Sequence, residues 1–448
     1  MALDRDSLDI LARALKKLDA GFSQLPGFDP AFTNHERTEE VLFELAEKLH
    51  DNYPYFHPLY AGQMLKPSHP VARLAYSLAM FINPNNHALD GGRATSAMEK
   101  EAVGEIAAMF GWKEFLGHLC GGGTMANLEA LWVAGQLNPG KTILASEQAH
   151  YTHSRISSVL QLAFEKIPCD ASGRMDPDAL KRRLSRGGVG SVVATMGTTA
   201  TGAVDSLPEI LQLREEFGFR LHADAAYGGY FVLAENVAAH ARRSFARIGE
   251  ADSIVIDPHK HGLQPYGCGC VLFRAPAVGR LYQHDSPYTY FTSAEPHLGE
   301  ISLECSRPGA AAAALWATQK LLPLVRGGDF AKGLEMGRSA ALKFWRAIEQ
   351  SKTFAAAFAP ELDILCFVPR GGCLAEISAR SRRIFEAAAR LGLHLAVAEL
   401  PVHFWKELKP ESGRDTVTCL RSVLMKPEHL EWIEPIVKKL DQAAAEAR

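Results

Sequence analysis

Three short stretches carry residue types able to do chemistry together. The first is Ser253-Ile-Val-Ile-Asp-Pro-His-Lys-His-Gly262, where the β-branched run Ile254–Ile256 reads as a buried strand ended by Pro258. Lys260 then stands just past the carboxyl end of that strand, where open α/β sheets hold their ligands, and its amine can act as a nucleophile. The second is His222-Ala-Asp-Ala-Ala-Tyr-Gly-Gly229, after the strand candidate Phe219–His222. A carboxylate on Asp224 at a buried strand end is costly unless it meets a cation. The small Ala225 and Ala226 leave room for a flat ring beside it. The third is Cys120-Gly-Gly-Gly-Thr-Met-Ala-Asn127, ahead of a helical run. A glycine-rich turn, with Gly123, opening the helical run Leu128–Val133 aims free N–H groups at an anion such as a phosphate, and Thr124 and Asn127 add a hydroxyl and an amide. Singly, each has a plainer reading: a surface Lys-His turn, an aspartate capping a turn, and a glycine-rich helix start lacking the Walker lysine and the dinucleotide spacing.

In this chain order the three form the set that pyridoxal 5'-phosphate requires. A lysine makes the Schiff base, an aspartate pairs with the pyridinium nitrogen, and a helix N-terminus carries the phosphate. The aspartate keeps the nitrogen protonated, so electrons released at a substrate Cα can drain into the ring. A metal site at Asp257, His259 and His261 is the lesser reading of the same turn, because Lys260 needs it; no metal is expected.

An alternating region positions these stretches. Between Leu116 and Arg274, strand candidates at Thr142–Ser146, Ser191–Met196, Phe219–His222, Ser253–Ile256 and Gly269–Phe273 are separated by helical patterns at Arg155–Leu162, Pro177–Arg186, Leu207–Phe217 and Ala238–Ile248. Such alternation with short connections specifies a mostly parallel sheet covered on both faces. Pro208 suits a first helical turn and Gly218 suits the end of that helix. Ahead of this region, Leu8, Leu11, Leu15 and Leu18, then Val41–Leu49, give two amphipathic helices whose stripes need a partner subunit or the main domain to cover them. Tyr53–Asp90 reads as an irregular stretch rich in Pro, Asn and His. Behind it, Tyr282–Pro308 is poorly patterned and Ala310–Leu322 is a strong helix. The remainder mixes helices at Leu334–Ile348, Ile384–Leu391 and Leu430–Ala445 with strands at Ile364–Val368, His394–Ala398 and Thr416–Leu424. The expected organisation is α/β, with an N-terminal helical segment at residues 1–56, a large cofactor-binding domain at 57–322 and a small α+β domain at 323–448.

Composition narrows the class. With 448 residues, 47% apolar and 22% charged, the chain reads as a globular enzyme rather than a disordered protein. A net charge of −3 argues against nucleic acid as a partner, and the pairs Arg182-Arg183, Arg242-Arg243 and Arg382-Arg383 read as solvated helix faces. Eight dispersed cysteines do not form a disulfide framework; Cys268 and Cys270 should share one strand face as small apolar residues. No apolar stretch reaches membrane length and no signal-peptide pattern opens the chain, so a reducing cytoplasm without membrane attachment is expected.

From about His57 to Pro427 the chain resembles the group II pyridoxal-phosphate-dependent amino-acid decarboxylases. The resemblance rests on Gly-Gly-Gly-Thr-Met-Ala-Asn at 121–127, Ser-Glu-Gln-Ala-His-Tyr at 146–151, His-Ala-Asp-Ala-Ala-Tyr at 222–227 and Asp-Pro-His-Lys at 257–260. It implies the type I fold of aspartate aminotransferase, with a mostly parallel seven-stranded-type sheet. It implies that His150 stacks on one face of the cofactor ring and Ala226 packs on the other. Thr124 and the Met125 amide would hold the phosphate, with His259 close by. Thr199 would lie near the ring oxygen and the substrate carboxylate. Tyr290, in Tyr288-Thr-Tyr-Phe-Thr-Ser293, resembles the loop tyrosine that protonates the carbanion left by carbon dioxide, and Tyr288 is the alternative. Where relatives carry phenylalanine instead, an aldehyde is formed, and Phe291 is adjacent. The implied protein is a homodimer with shared active sites, turning an L-amino acid into its amine. An aldehyde-forming or transaminating relative and a catalytically silent homologue are the competing readings. Asn83, Asn85, Asn86 and His87 stand where aromatic-amino-acid decarboxylases are bulky and apolar, which suggests a polar or acidic substrate side chain. Arg307 has two readings: reaching a carboxylate or the neighbouring site's phosphate, or making a structural ion pair.

Overall fold

Short runs of Val, Ile, Leu and Ala, bounded by glycine and polar turns, become the strands of two sheets. The computed structural model describes residues 5–28, 34–87, 89–283, 301–411 and 413–447. The first sheet contains β1 (Leu116–Cys120), β2 (Thr142–Ser146), β3 (Phe164–Ile167), β4 (Val189–Thr195), β5 (Arg220–Asp224), β6 (Ser253–Ile256) and β7 (Gly269–Phe273). Their order is β1-β7-β6-β5-β4-β2-β3. Neighbours from β6 across to β3 pair parallel, whereas β7 runs antiparallel to both β6 and β1. Six of the seven strands therefore share one direction. The central strands are buried along their length, which explains their near-continuous apolar runs.

Two strands lack that signature for identifiable reasons. β3, Phe-Glu-Lys-Ile, is an edge strand with its middle residues exposed. β1 buries a polar residue, His118, which reaches Glu129 Oε2 at 2.9 Å and the carbonyl of Leu119 at 2.8 Å. The stretch expected to be irregular before residue 90 contains a helix, Pro70–Met80. His69 caps it by accepting the Val71 amide, and proline occupies the first turn. The helix Leu207–Phe217 has proline in its first turn and ends at Gly218 in the left-handed conformation.

The second sheet holds β8 (Phe354–Ala356), β9 (Ile364–Pro369), β10 (Ala396–Pro401) and β11 (Thr416–Val423), ordered β10-β11-β9-β8 and antiparallel throughout. The helices Asp329–Gln350, Leu374–Arg390 and His429–Glu446 pack on it. Phe367 sits edge-on to Phe344 and Phe354, each at 5.5 Å between ring centroids, within this core. Among the described residues no helix is long and apolar enough to cross a membrane, and all eight cysteines are free.

Residues 83–87 are laced to 306–309 by an Asn85–Pro308 bridge, the Asn86 amide on the Arg307 carbonyl at 2.9 Å and the Gly309 amide on the Pro84 carbonyl at 2.8 Å. Arg307 makes the structural ion pair: its Nη1 donates to Glu99 Oε1 and to the Leu119 carbonyl, both at 2.6 Å, with both side chains almost fully buried. Asn86 donates to Glu99 Oε2 at 2.6 Å and Asn85 binds Ser306 and the Arg307 amide. These asparagines are thus spent on holding the loop, and a polar substrate pocket cannot be inferred from them. Arg307→Met leaves the Glu99 charge stranded, so unfolding in urea should show a loss of about 3–5 kcal/mol; a loss below about 1 kcal/mol would show that the pair is not structural.

Candidate functional site

Because β1, β2, β4, β5 and β6 run the same way, their carboxyl ends lie along one edge of the sheet. Each sequence-predicted residue follows one of those ends: the glycine turn after β1, His150 after β2, Thr199 after β4, Asp224 closing β5 and Lys260 after β6. A cavity of about 510 Å³ opens there, a volume typical of a small-molecule site. Gly123, Thr124, Met125, Asn127, His150, Thr199, Asp224, Ala226, His259 and Lys260 all line it. Tyr288 and Tyr290 lie outside the described residues.

Asp224 is 5% exposed. Its Oδ2 accepts from His153 Nε2 at 2.8 Å and its Oδ1 from the Ala226 amide at 3.2 Å. Burial alone would raise this carboxyl group. The His153 hydrogen bond and charge, with smaller contributions from His222 and Lys260, outweigh burial and hold it below the ordinary carboxylate range. His222, fully buried, is pushed down to about 3 by desolvation and stays neutral. Its two nitrogens are occupied by Ser253 Oγ and Asn127 Oδ1, each at 2.8 Å. The carboxamide oxygen of Asn127 is therefore engaged by His222. His150 is lowered by its own burial and is oriented by Thr152, whose Oγ1 lies 2.8 Å from Nδ1.

The lysine turn is built on Asp257. Lys260 donates its backbone N–H to the Asp257 carbonyl at 2.9 Å, and Nζ lies 3.0 Å from Asp257 Oδ2. His259 Nε2 is 3.6 Å from the same oxygen, and burial lowers the imidazole pKa. Facing them, the helix Gly123–Leu137 starts without a side-chain cap, so its first amides have no partner within the helix. Gly122 has φ +152°, a left-handed value, and a Cβ there would meet His259 Cε1 at 3.2 Å. A Cβ on Gly123 would lie 2.6 Å from Asp257 Oδ2.

Several contributing residues carry no strong sequence signal. His153 lies three residues after His150, and only helical spacing would have pointed to it. Asp257 stood inside a conspicuous motif with only the lesser metal reading attached, and His222 stood in another without an assigned role. Two more come from the second sheet. Arg421 on β11 donates to the carbonyls of Thr199 at 2.6 Å and Ala200 at 3.0 Å. Asp363, just before β9, accepts from Tyr227 Oη at 2.6 Å and lies 3.2 Å from His261 Nε2. His261 thus faces Asp363 while His259 faces Asp257, so the two imidazoles do not converge.

The donor set fits pyridoxal phosphate. The buried ionised Asp224, with a neutral His222 on the same strand, suits a protonated ring nitrogen, while the uncapped helix start suits a dianionic phosphate. Asp257 Oδ1 and His259 Nδ1 are buried without a hydrogen-bond partner among the described residues, next to that helix start.

A family profile described as "Pyridoxal-dependent decarboxylase conserved domain" matches residues 129–370. An L-tyrosine decarboxylase of Enterococcus faecium is 30% identical, across 69% of this chain and 67% of that protein. A probable L-tyrosine/L-aspartate decarboxylase of Methanothermobacter thermautotrophicus is also 30% identical, across 58% of this chain and 70% of its own. The crystal structure of Oryza sativa TDC with PLP and tryptamine superposes with a TM-score of 0.80 at 17% identity, covering 100% of this chain and 99% of that one. That last likeness shows the fold.

Gly123→Ala should weaken pyridoxal phosphate binding at least tenfold, since the methyl group displaces the carboxylate that Lys260 rests on. Absorbance titration of the cofactor measures it, and affinity within about twofold of wild type would refute this account of the cradle.

Proposed function

The chain belongs to the pyridoxal-dependent decarboxylase family, and on that footing we propose how its own residues carry the reaction. It is a pyridoxal-phosphate-dependent carboxy-lyase acting on an amino acid, with the type I fold. Bound cofactor supplies an electron sink conjugated to the substrate Cα. The observation that supports the residue assignments is the convergence of Lys260, Asp224, His150 and the glycine turn on one cavity.

Lys260 is the covalent anchor, and Asp257, 3.0 Å from Nζ, receives the ammonium when it is not so engaged. Asp224 keeps the ring nitrogen protonated by remaining ionised itself. His150, neutral and held by Thr152, covers one ring face, and Ala226 packs on the other. The amides at Gly123, Thr124 and Met125 and the Thr124 hydroxyl hold the phosphate, with His259 beside them and Asn127 bracing His222 behind. Thr199, fixed through its carbonyl by Arg421, orients the substrate carboxylate near the ring oxygen. Tyr290 would return a proton to Cα, with Tyr288 as the alternative; a phenol is neutral at pH 7 and can serve as a general acid.

The protein works as a homodimer in which residues 53–90 and 282–308 complete the partner's site, and residues 1–56, 57–322 and 323–448 form its three parts. Exposed apolar side chains on the first two helices, including Leu8, Leu42, Phe43 and Leu49, support a covering subunit. Eight free cysteines support a reducing cytoplasm.

A screen of the common L-amino acids, including tyrosine and aspartate, tests the assignment by quantifying amine and carbon dioxide. Wild type should yield stoichiometric amine, and Lys260→Ala should reduce turnover by more than about 10³-fold. Tyr290→Phe should lose amine and gain aldehyde. If wild type instead gives ammonia and peroxide or a keto acid, decarboxylation is not its reaction. An unchanged product in Tyr290→Phe with aldehyde from Tyr288→Phe would move the proton donor to Tyr288.

A further inference from the structure

His153 sits one turn beyond His150 on the helix Thr152–Val159, with no exposed surface. Nothing in the proposed reaction uses it, yet it makes the shorter of the two hydrogen bonds to the Asp224 carboxylate among the described residues, 2.8 Å from Nε2 to Oδ2. Its other nitrogen, Nδ1, is buried without a hydrogen-bond partner among the described residues. A buried N–H left unpaired costs more than a bare ring nitrogen. The arrangement therefore places a ring proton on Nε2, donating to the carboxylate.

The groups facing Asp224 can be enumerated. His222 is on the same strand with both nitrogens occupied, and His150 is turned toward Thr152. The Ala226 amide serves Oδ1 at 3.2 Å, and Lys260 is drawn to Asp257 at 3.0 Å. Among the described residues Oδ2 thus has a single side-chain donor, His153. Without it, an oxygen buried at a strand end would have no donor and would favour the protonated acid.

We propose that His153 is a positioning residue that acts through Asp224, holding the carboxylate ionised before the cofactor arrives so that it can pair at once with the ring nitrogen. The inference rests on the role assigned to Asp224 above. It makes a specific claim about pH. With the His153 donor, Asp224 carries its charge throughout the neutral range. In a variant lacking the donor, the folded-state carboxyl group titrates higher, so the acid form accumulates as pH falls, and the acid form cannot pair with a protonated ring nitrogen.

Two substitutions separate a donor from a filler: His153→Phe removes the proton, and His153→Gln replaces it with an amide N–H at a similar reach. Each apoprotein is titrated with pyridoxal phosphate by absorbance at pH 8 and pH 6, and apoprotein melting is recorded alongside. His153→Phe should bind about tenfold more weakly than wild type at pH 8, and that ratio should widen at pH 6. His153→Gln should stay within about threefold at both. In wild type the bond should also give a downfield imidazole proton resonance that is absent from His153→Gln, a reading that does not require the Phe variant to fold. Equal affinities for wild type and His153→Phe at both pH values, a deficit that does not change with pH, or a wild-type spectrum without that resonance would overturn the proposal. A wild-type protein that binds no pyridoxal phosphate would instead overturn the reading of the whole site. A wild type that binds it and forms amine, beside an unaffected His153→Phe, would overturn only this inference.

Discussion

The carboxylate of Asp224 lies at a strand end where water has almost no access, and a charge in such a place must be answered by its surroundings. It is answered first by hydrogen-bond donors. His153 and the Ala226 amide supply hydrogen bonds, while His222 is kept neutral by burial and by its own partners, Asn127 and Ser253. The nearby cation, Lys260, is drawn aside by Asp257. The charge is thus stabilised beside the cavity, next to an uncapped helix start that offers a positive potential. A zwitterionic ring with a phosphate tail matches both ends of that field.

Much of this was legible in the sequence because it depends on local rules. β2, β6 and β7 and the helix Leu207–Phe217 have the bounds that their apolar runs, proline and glycine indicate. Lys260 and Asp224 are recognisable because each sits at the end of an apolar run, and the glycine turn because three consecutive glycines precede a helical run. What stayed hidden was set by distant partners. β1 conceals its nature because His118 is made tolerable by Glu129, and β3 because an edge strand tolerates charge. Asn85 and Asn86 look like pocket residues until Glu99, Ser306 and Arg307 are seen to claim them. His153 has no pattern of its own; its meaning comes from an aspartate 71 positions away.

The second sheet takes part in the site although none of its residues follows a strand end of the first. Arg421 spends its guanidinium on carbonyls at Gly62, Thr199 and Ala200, which joins the N-terminal stretch, the pocket wall and β11 at one point. Asp363 does the same for Tyr227 and His261, one on each side of the Asp224 and Lys260 turns. Buried charged groups used this way fix orientation more than they add stability. The pocket wall is therefore braced from behind by a sheet that buries one face, with Ile364, Cys366 and Cys419, in the core it shares with the first sheet, and the other, with Leu365, Phe367 and Leu420, in a core of its own.

The strand order has one more consequence. Adjacent strands are spaced by about 4.8 Å through backbone hydrogen bonding, whatever their side chains. Glycine turn, lysine, aspartate, Thr199 and His150 issue from β1, β6, β5, β4 and β2, so the sheet works as a ruler on which each chemical group is mounted at a whole number of divisions. Repacking the apolar faces would soften the mount without moving its marks. A slip of one residue in the pairing of β5 would do the opposite: the pleat would turn Asp224 to the far face and present an alanine, Ala223 or Ala225, in its place.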